Sequence, residues 1–167
     1  MYPSIHHHHH HHLHRRQALA LAAALPLLAF AKDSALPVPN SLQDVASEAI
    51  ARGEPLVLLV SLPGCPYCEL VRRNYLLPMR QDGLAAWQIT VNDQTQKIRD
   101  FQGQAATGAL LAAQLKIRVT PTVLFFNAEG KEIAIRIQGI AVPDFYGAYL
   151  EEALNTARQH LKSAQKR

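Results

Sequence analysis

Cysteine is scarce in this sequence, and its scarcity limits what the two copies can do. Cys65 and Cys68 are the only cysteines among 167 residues, and His160 is the only histidine outside the N-terminal region. A structural zinc site takes four cysteine or histidine ligands, so the pair does not supply one. A disulfide that closes so short a loop also stabilises a fold very little. We therefore expect the pair to be chemically reactive.

Long apolar runs, internal repeats and a strong excess of charge are also missing. An apolar stretch at 17–30 is too short to span a bilayer comfortably, and Pro26 interrupts it. Without the first 31 residues the chain keeps 15 basic and 13 acidic residues, a net charge of +2. So mild a balance indicates neither nucleic acid nor an acidic membrane surface as a partner.

The N-terminal segment has the pattern of a secretory signal peptide. Arg15 and Arg16 precede the apolar stretch, which ends in the cleavage-type sequence Ala29-Phe30-Ala31. We therefore predict a signal peptide at 1–31, cleavage after Ala31 and a periplasmic location; an uncleaved membrane anchor is the alternative. The paired arginines alone are a weak indication of the twin-arginine route. The histidine run at 6–12 is either native or a purification tag, and no prediction rests on it.

The two cysteines lie where a strand gives way to a helix. The apolar run Leu56 to Val60 predicts a buried strand, and Glu69 to Leu77 predicts a helix. At a helix start, unpaired N–H groups and the helix dipole favour a thiolate, and cysteine pKa values fall there to roughly 3.5–7.5. Cys65 is then the exposed, attacking thiolate, and Cys68, one turn further in, is the resolving thiol.

The rest of the chain predicts a small α/β domain in the order α-β-α-β-α-β-β-α. The domain is expected at 41–161, after an extended lead-in at 32–40 and before a basic C-terminal tail at 162–167. Pro78 is expected to kink or stop the cysteine-bearing helix. The other predicted elements are helices at 41–52, 109–116 and from Pro143 onward, strands at 87–92, 121–126 and 133–138, and a loop at 94–107.

Two motifs together resemble the thioredoxin superfamily. Cys65-Pro66-Tyr67-Cys68 follows a buried strand, and Thr120-Pro121-Thr122 stands about fifty residues later, where that family has a cis-proline. The resemblance covers roughly Ser41 to Leu161. It implies a thioredoxin fold, with a central mixed sheet flanked by helices and a cis-proline loop beside the cysteines. Thr120, Pro121 and Gly139 would then border a substrate groove, and Pro66 and Tyr67 would tune the site.

The function that this resemblance implies is that of an exported thiol–disulfide oxidoreductase. It would act on protein disulfides through Cys65 and Cys68, exchange electrons with a partner redox protein, need no metal or organic cofactor, and work as a monomer. Two alternatives use the same residues differently: a module that binds Cu(I) through both thiolates, and an inactive thioredoxin-like adaptor.

Several positions depart from the family's pattern. Leu59 stands where the thioredoxins proper have a buried aspartate, so Glu54 or water would have to accept the proton of Cys68. Tyr67 cannot supply the positive charge that a histidine gives the exported oxidases, so we expect a reductant or exchange catalyst. Arg72 and Arg73 are expected on a solvated helix face. Trp87 is expected in the core, as are the aromatic residues at 145, 146 and 149.

Overall fold

The computed structural model of this protein describes residues 35–167. The predicted signal peptide and the first residues of the lead-in lie outside the described residues. The described residues contain six strands, five α-helices, one π turn and one 3₁₀ turn. In chain order they are α1 (Leu42–Ala51), β1 (Leu56–Ser61), α2 (Pro66–Val71), a π turn (Arg72–Leu76), α3 (Leu77–Gln81), β2 (Ala86–Thr90), β3 (Ile98–Arg99), β4 (Ala105–Ala106), α4 (Gly108–Gln114), β5 (Thr122–Phe126), β6 (Ile137–Gln138), a 3₁₀ turn (Pro143–Phe145) and α5 (Tyr146–Gln165).

Strand β1 is at the centre of a four-stranded mixed sheet with the order β2-β1-β5-β6. It runs parallel to β2 and antiparallel to β5, which in turn pairs antiparallel with β6. All six residues of β1 are buried, because helices cover both faces of the sheet. The α/β fold with a central mixed sheet flanked by helices is thus confirmed.

Side chains alternate along β1, so they enter two separate hydrophobic cores, one on each face of the sheet. Val57 and Leu59 point to the face covered by the π turn, α3 and α5, where Leu76, Tyr146 and Leu150 are buried. Leu56, Leu58 and Val60 point to the opposite face, which α1 and α4 cover with Leu42, Val45 and Leu111. The sheet therefore holds the end of β1, and the cysteines beyond it, between two packed layers.

The helix that carries the cysteines is longer than predicted. It begins at Pro66 and continues through the π turn to Gln81, past Pro78, which the sequence analysis expected to kink or stop it. The π turn makes this possible: the Leu77 N–H donates to the Arg72 carbonyl, and Pro78 follows as an early residue of α3, where no N–H is needed.

Four other segments differ from expectation. The described part of the lead-in packs onto the domain, since Leu36 is buried and the Gln88 N–H donates to the Pro37 carbonyl at 3.0 Å. The loop at 94–107 contains the paired strands β3 and β4. Only Ile137 and Gln138 of the predicted last strand form β6. Helix α5 continues to Gln165, so most of the predicted tail at 162–167 is helical.

No helix among residues 35–167 is both long and apolar enough to cross a membrane.

Candidate active site

The two cysteines form a disulfide at the start of α2. The chain leaves β1 at Ser61 and turns through Gly64, whose φ of +73° favours glycine, before it reaches Cys65. Cys65 is the N-cap of α2 and Pro66 is its first residue, where proline is favoured. The Cα atoms of Cys65 and Cys68 are 5.3 Å apart. The Cys68 N–H donates to the Cys65 Sγ at 3.2 Å, so the sulfur occupies the capping position itself.

The two sulfurs differ in their access to solvent. Cys65 is partly exposed, and the Pro66 and Tyr67 side chains that follow it are exposed. Cys68 is only 1% exposed. An incoming disulfide can therefore reach the Cys65 sulfur, while Cys68 is positioned to attack Cys65 from the protein side.

The loop before β5 lies directly against Cys65. The Thr120–Pro121 peptide bond is cis, and the Thr120 hydroxyl lies 3.9 Å from the Cys65 Sγ. The Gly139 N–H donates to the Pro121 carbonyl at 2.7 Å, which holds the end of β6 against the same loop. The structure thus brings together the three residues that the sequence analysis assigned to the substrate groove.

Apolar side chains stand exposed beside the disulfide. Tyr67 is 55% exposed, Val119 is 42% exposed and Leu62 is 39% exposed. Leu62 precedes the cysteines and accepts the Cys65 N–H, and Val119 adjoins Thr120. Sequence reasoning expected the segment from Val119 to Val123 beside the active site but did not predict that Leu62 and Val119 are exposed there, because a single apolar residue next to a buried strand is ordinarily part of the core.

Arg72 is buried beside the active site, so its predicted place on a solvated helix face is wrong. The residue is 6% exposed. Its guanidinium donates to the Gln88 Oε1 at 2.8 Å, to the Ser61 Oγ at 3.1 Å and to the Glu69 carboxylate. Arg73 does face solvent: its side chain is 64% exposed and lies 3.2 Å from the other Glu69 oxygen.

Glu54 cannot accept a proton from Cys68, although the sequence analysis offered it as a substitute for the missing aspartate. It precedes β1, whereas the cysteines follow the opposite end of that strand. Six residues of strand span about 20 Å, at about 3.3 Å per residue. The Glu54 carboxylate instead pairs with Arg158 of α5 at 3.0 Å.

Of the aromatic residues expected in the core, only Tyr146 is fully buried. Phe145 is 59% exposed and Tyr149 is 47% exposed. The 3₁₀ turn at Pro143–Phe145 keeps Phe145 out of α5, so Phe145 is not part of the inward face of that helix. Trp87 is half-buried against the core, and Arg80 lies over its ring.

A family model described as a thioredoxin-like domain matches residues 42–154, more than half of the chain. A search of curated proteins gave no match. Solved structures that are similar in fold include thioredoxin O2 from Arabidopsis thaliana in its oxidised state, which is 16% identical with a TM-score of 0.49 over 72% of this chain and 96% of that chain. Mitochondrial thioredoxin 3 from Saccharomyces cerevisiae, also oxidised, is 16% identical with a TM-score of 0.47 over 72% and 93%. A thioredoxin-fold protein from Helicobacter pylori is 19% identical with a TM-score of 0.38 over 69% and 86%.

The family match spans the elements that hold the cysteines, from α1 to the first half of α5. Within it, Cys65 and Cys68 form a disulfide at a helix start. The chain therefore belongs to the thioredoxin-like family, and it is a thiol–disulfide oxidoreductase.

Proposed function

We propose that this protein is exported and that it reduces or exchanges disulfide bonds in protein substrates. The proposal of export rests on the sequence pattern at 1–31. The observation that most directly supports the disulfide chemistry is the arrangement around Cys65. Its sulfur is accessible, Cys68 is buried behind it, and the Thr120–Pro121 loop flanks it. The arrangement suits a substrate that presents a disulfide on an extended segment of chain.

The reaction begins with Cys65 as a thiolate. The Cys68 N–H points at its sulfur and favours the anion. The thiolate attacks one sulfur of the substrate disulfide, forms a mixed disulfide, and releases the other sulfur as a thiolate that takes up a proton from solvent. Cys68 then loses its proton to water and attacks the Cys65 sulfur. The Cys65–Cys68 bond forms, and the substrate leaves with two electrons.

The groove offers a substrate both backbone and apolar contacts. In strand-addition recognition, main-chain hydrogen bonds give affinity and side-chain pockets give specificity. The backbone around Thr120 and Gly139 borders the groove and suits main-chain hydrogen bonds. The exposed side chains of Leu62, Tyr67 and Val119 suit contacts with the side chains of a substrate. We therefore propose an unfolded or extended protein segment as the substrate, and a partner redox protein that restores the dithiol or the disulfide. No cofactor enters the cycle.

Trapping of substrate separates the roles of the two cysteines. Cys65→Ser should abolish reduction of a protein disulfide, because no attacking thiolate remains. Cys68→Ser should accumulate a mixed disulfide with the substrate, because the resolving thiol is gone. Mass spectrometry of the adduct identifies the trapped substrate after export. If Cys65→Ser is the variant that traps substrate, the two roles are reversed.

The Cu(I) alternative uses the same two sulfurs and makes a different prediction. A delivery module would bind one Cu(I) per reduced chain, and disulfide reduction would not occur. Metal analysis of the reduced protein without its histidine run, beside an assay of disulfide reduction, distinguishes the two. The hydroxyl of Thr120 next to Cys65 favours the redox function, because a soft ion prefers sulfur or imidazole ligands.

The direction of electron flow and the cellular location of the protein are tested separately. We expect a reduction potential nearer that of thioredoxin, about −270 mV, than that of a strong oxidase, about −120 mV, because neither Pro66 nor Tyr67 carries a positive charge. Equilibration with glutathione measures it.

Export predicts that the periplasmic form begins at Lys32, which N-terminal sequencing of the native protein without a tag determines. We expect that form to be a monomer, which light scattering measures.

A further inference from the structure

The buried guanidinium of Arg72 joins three elements: the end of β1, helix α2 and strand β2. Ser61 ends β1 just before the loop to Cys65, Glu69 follows Cys68 on α2, and Gln88 lies on β2. Arg72 donates a hydrogen bond to a side chain of each. Two of the three acceptors, Ser61 and Gln88, are neutral. The network therefore fixes the position of the charge while leaving only Glu69 to neutralise it.

Arg72 also lies on the same face of the helix as Cys68. The two residues are separated by four positions, and the Arg72 N–H donates to the Cys68 carbonyl. A long helical side chain leans toward the N-terminus and covers the turn before its own Cα, which here is the turn of Cys68. Both residues are buried, so water and salt weaken the field between them much less than at the surface.

The charged side chains that bond to one another around Arg72 all lie on the cysteine-bearing helix. Among the described residues, hydrogen bonds and ion pairs join Arg72 to Glu69, and Glu69 to the exposed Arg73. Strands β1 and β2 contribute the neutral Ser61 and Gln88. The cis-proline loop contributes the Thr120 hydroxyl at Cys65, and the exposed phenol of Tyr67 lies between the cysteines. The side chains of Glu69 and Arg73 are 48% and 64% exposed, so water and salt weaken their charges, whereas the guanidinium of Arg72 is buried. Arg72 is therefore the charge that acts most strongly on its buried neighbours.

We propose that Arg72 is a positioning residue whose buried positive charge favours the thiolate of Cys68 and so speeds the release of reduced substrate. This inference rests on the dithiol cycle of the proposed function. Burial disfavours the Cys68 thiolate, yet the resolving step requires it. Leu59 occupies the position of the family's buried aspartate, and Glu54 lies beyond the far end of β1. A fixed cation then stabilises the anion, and water accepts the proton.

The resolving step can be followed directly with a chromogenic aromatic disulfide. When reduced protein is mixed with one equivalent, attack by Cys65 releases one coloured thiolate, and attack by Cys68 on Cys65 releases the second. The second phase is unimolecular, and its rate follows the thiolate fraction of Cys68. In Arg72→Met we expect this phase to be about tenfold slower at pH 6–7. The midpoint of its rate–pH curve should lie about one pH unit higher, as for a thiol that loses a neighbouring cation.

Matched variants separate charge from structure. Arg72→Gln keeps hydrogen-bonding capacity toward Ser61 without the charge and should behave like Arg72→Met; it also serves if Arg72→Met does not fold. Arg72→Lys keeps the charge and should return the midpoint toward that of the unmodified protein. Arg73→Met removes the exposed cation from the same carboxylate and should leave the midpoint unchanged.

Three outcomes would overturn the role of Arg72. The first is an unchanged midpoint in the folded uncharged variants. The second is an Arg72→Lys midpoint equal to that of Arg72→Met, since charge would then not be the property that matters. The third is an equal shift in Arg73→Met. By contrast, the lack of any second phase in the unmodified protein would contradict the dithiol cycle, and with it the proposed function.

Discussion

Tyr146 begins α5 with its side chain inside the core, against Tyr75 of the π turn. Its ring centroid lies 5.2 Å from that of Tyr75, and the residue is 1% exposed. Within the described part of the chain, its hydroxyl has no hydrogen-bond partner. An unsatisfied buried hydroxyl costs about 1–3 kcal/mol. Burial, the largest cause, and the nearby Tyr75 raise the pKa of Tyr146 above its ordinary value.

We expect Tyr146→Phe to be as stable as the unmodified protein at neutral pH, or about 1 kcal/mol more stable, because the substitution removes the unsatisfied hydroxyl. The difference should widen in alkali. Since folding raises the pKa of Tyr146, the unfolded chain loses this proton first, and stability falls as pH rises past about 10, by about 1.4 kcal/mol per pH unit. Urea unfolding at pH 7 to 11 measures both effects.

Tyr149→Phe is the matched control, since Tyr149 lies three residues further along α5 and is half exposed. It should follow the unmodified protein across the whole pH range. A Tyr146→Phe curve parallel to the wild-type curve in alkali would show that this phenol ionises freely in the folded state.

At the residue scale, the sequence was most informative where chemistry is local. Cys65, Cys68, Thr120 and Pro121 could be assigned because their type and spacing are themselves the motif. Arg72 could not be assigned, because its burial depends on Gln88, 16 residues away on strand β2. A charged residue without a known partner is correctly expected at the surface.

At the element scale, the predicted strand at 133–138 shows how alternation can mislead. Ile133 is buried and its N–H donates to the Phe125 carbonyl of β5 at 2.9 Å, and Ile137 and Gln138 pair with β5. Ile135 between them, however, is 89% exposed. Arg136 binds the Glu132 carboxylate with two nitrogens and donates to the Leu115 carbonyl at 2.7 Å. The contact with Leu115 joins residues 21 positions apart, and a period-two pattern contains no information about it.

Helix α4 approaches the end of β2 closely, and Gly108 permits it. A Cβ atom at this position would clash with the carbonyl oxygen of Thr90, which is a backbone atom and cannot move aside. We expect Gly108→Ala to destabilise the fold by about 1–3 kcal/mol, as overpacking does elsewhere. The free energy of unfolding in urea measures the loss.

Gly147→Ala provides the comparison within α5. Its Cβ would lie 3.1 Å from Cε1 of Tyr75, a side chain that can shift, and alanine favours a helix over glycine. We expect a smaller change than for Gly108→Ala. If the two substitutions cost the same, the contact between α4 and β2 is looser than the structure indicates.

At the scale of the whole molecule, the residues before α1 belong to the domain. Leu36 is 2% exposed and lies in the core on the face of the sheet that the π turn, α3 and α5 cover. The Gln88 N–H donates to the Pro37 carbonyl beside it. Cleavage after Ala31 would leave this segment attached. The position of the predicted cleavage site is therefore compatible with a complete core.

A chain that begins at Asn40 should be less stable than one that begins at Lys32, because it loses a buried leucine and a hydrogen bond. Removal of a buried leucine side chain costs about 2–5 kcal/mol, which at this size lowers Tm by about 10 °C. Calorimetry of the two chains tests it, with Leu36→Ala in the longer chain as control. Equal Tm values for all three would show that the segment does not contribute to the core.

The π turn at Arg72–Leu76 has a consequence for sequence alignment. A π turn holds one residue more than an α-turn, so a relative with a regular α-helix here would be one residue shorter between its cysteines and its proline. Counting back from Pro78 would then place Arg72 opposite the wrong residue. An alignment meant to find its counterpart has to be anchored on Cys68 and to open its gap after position 72.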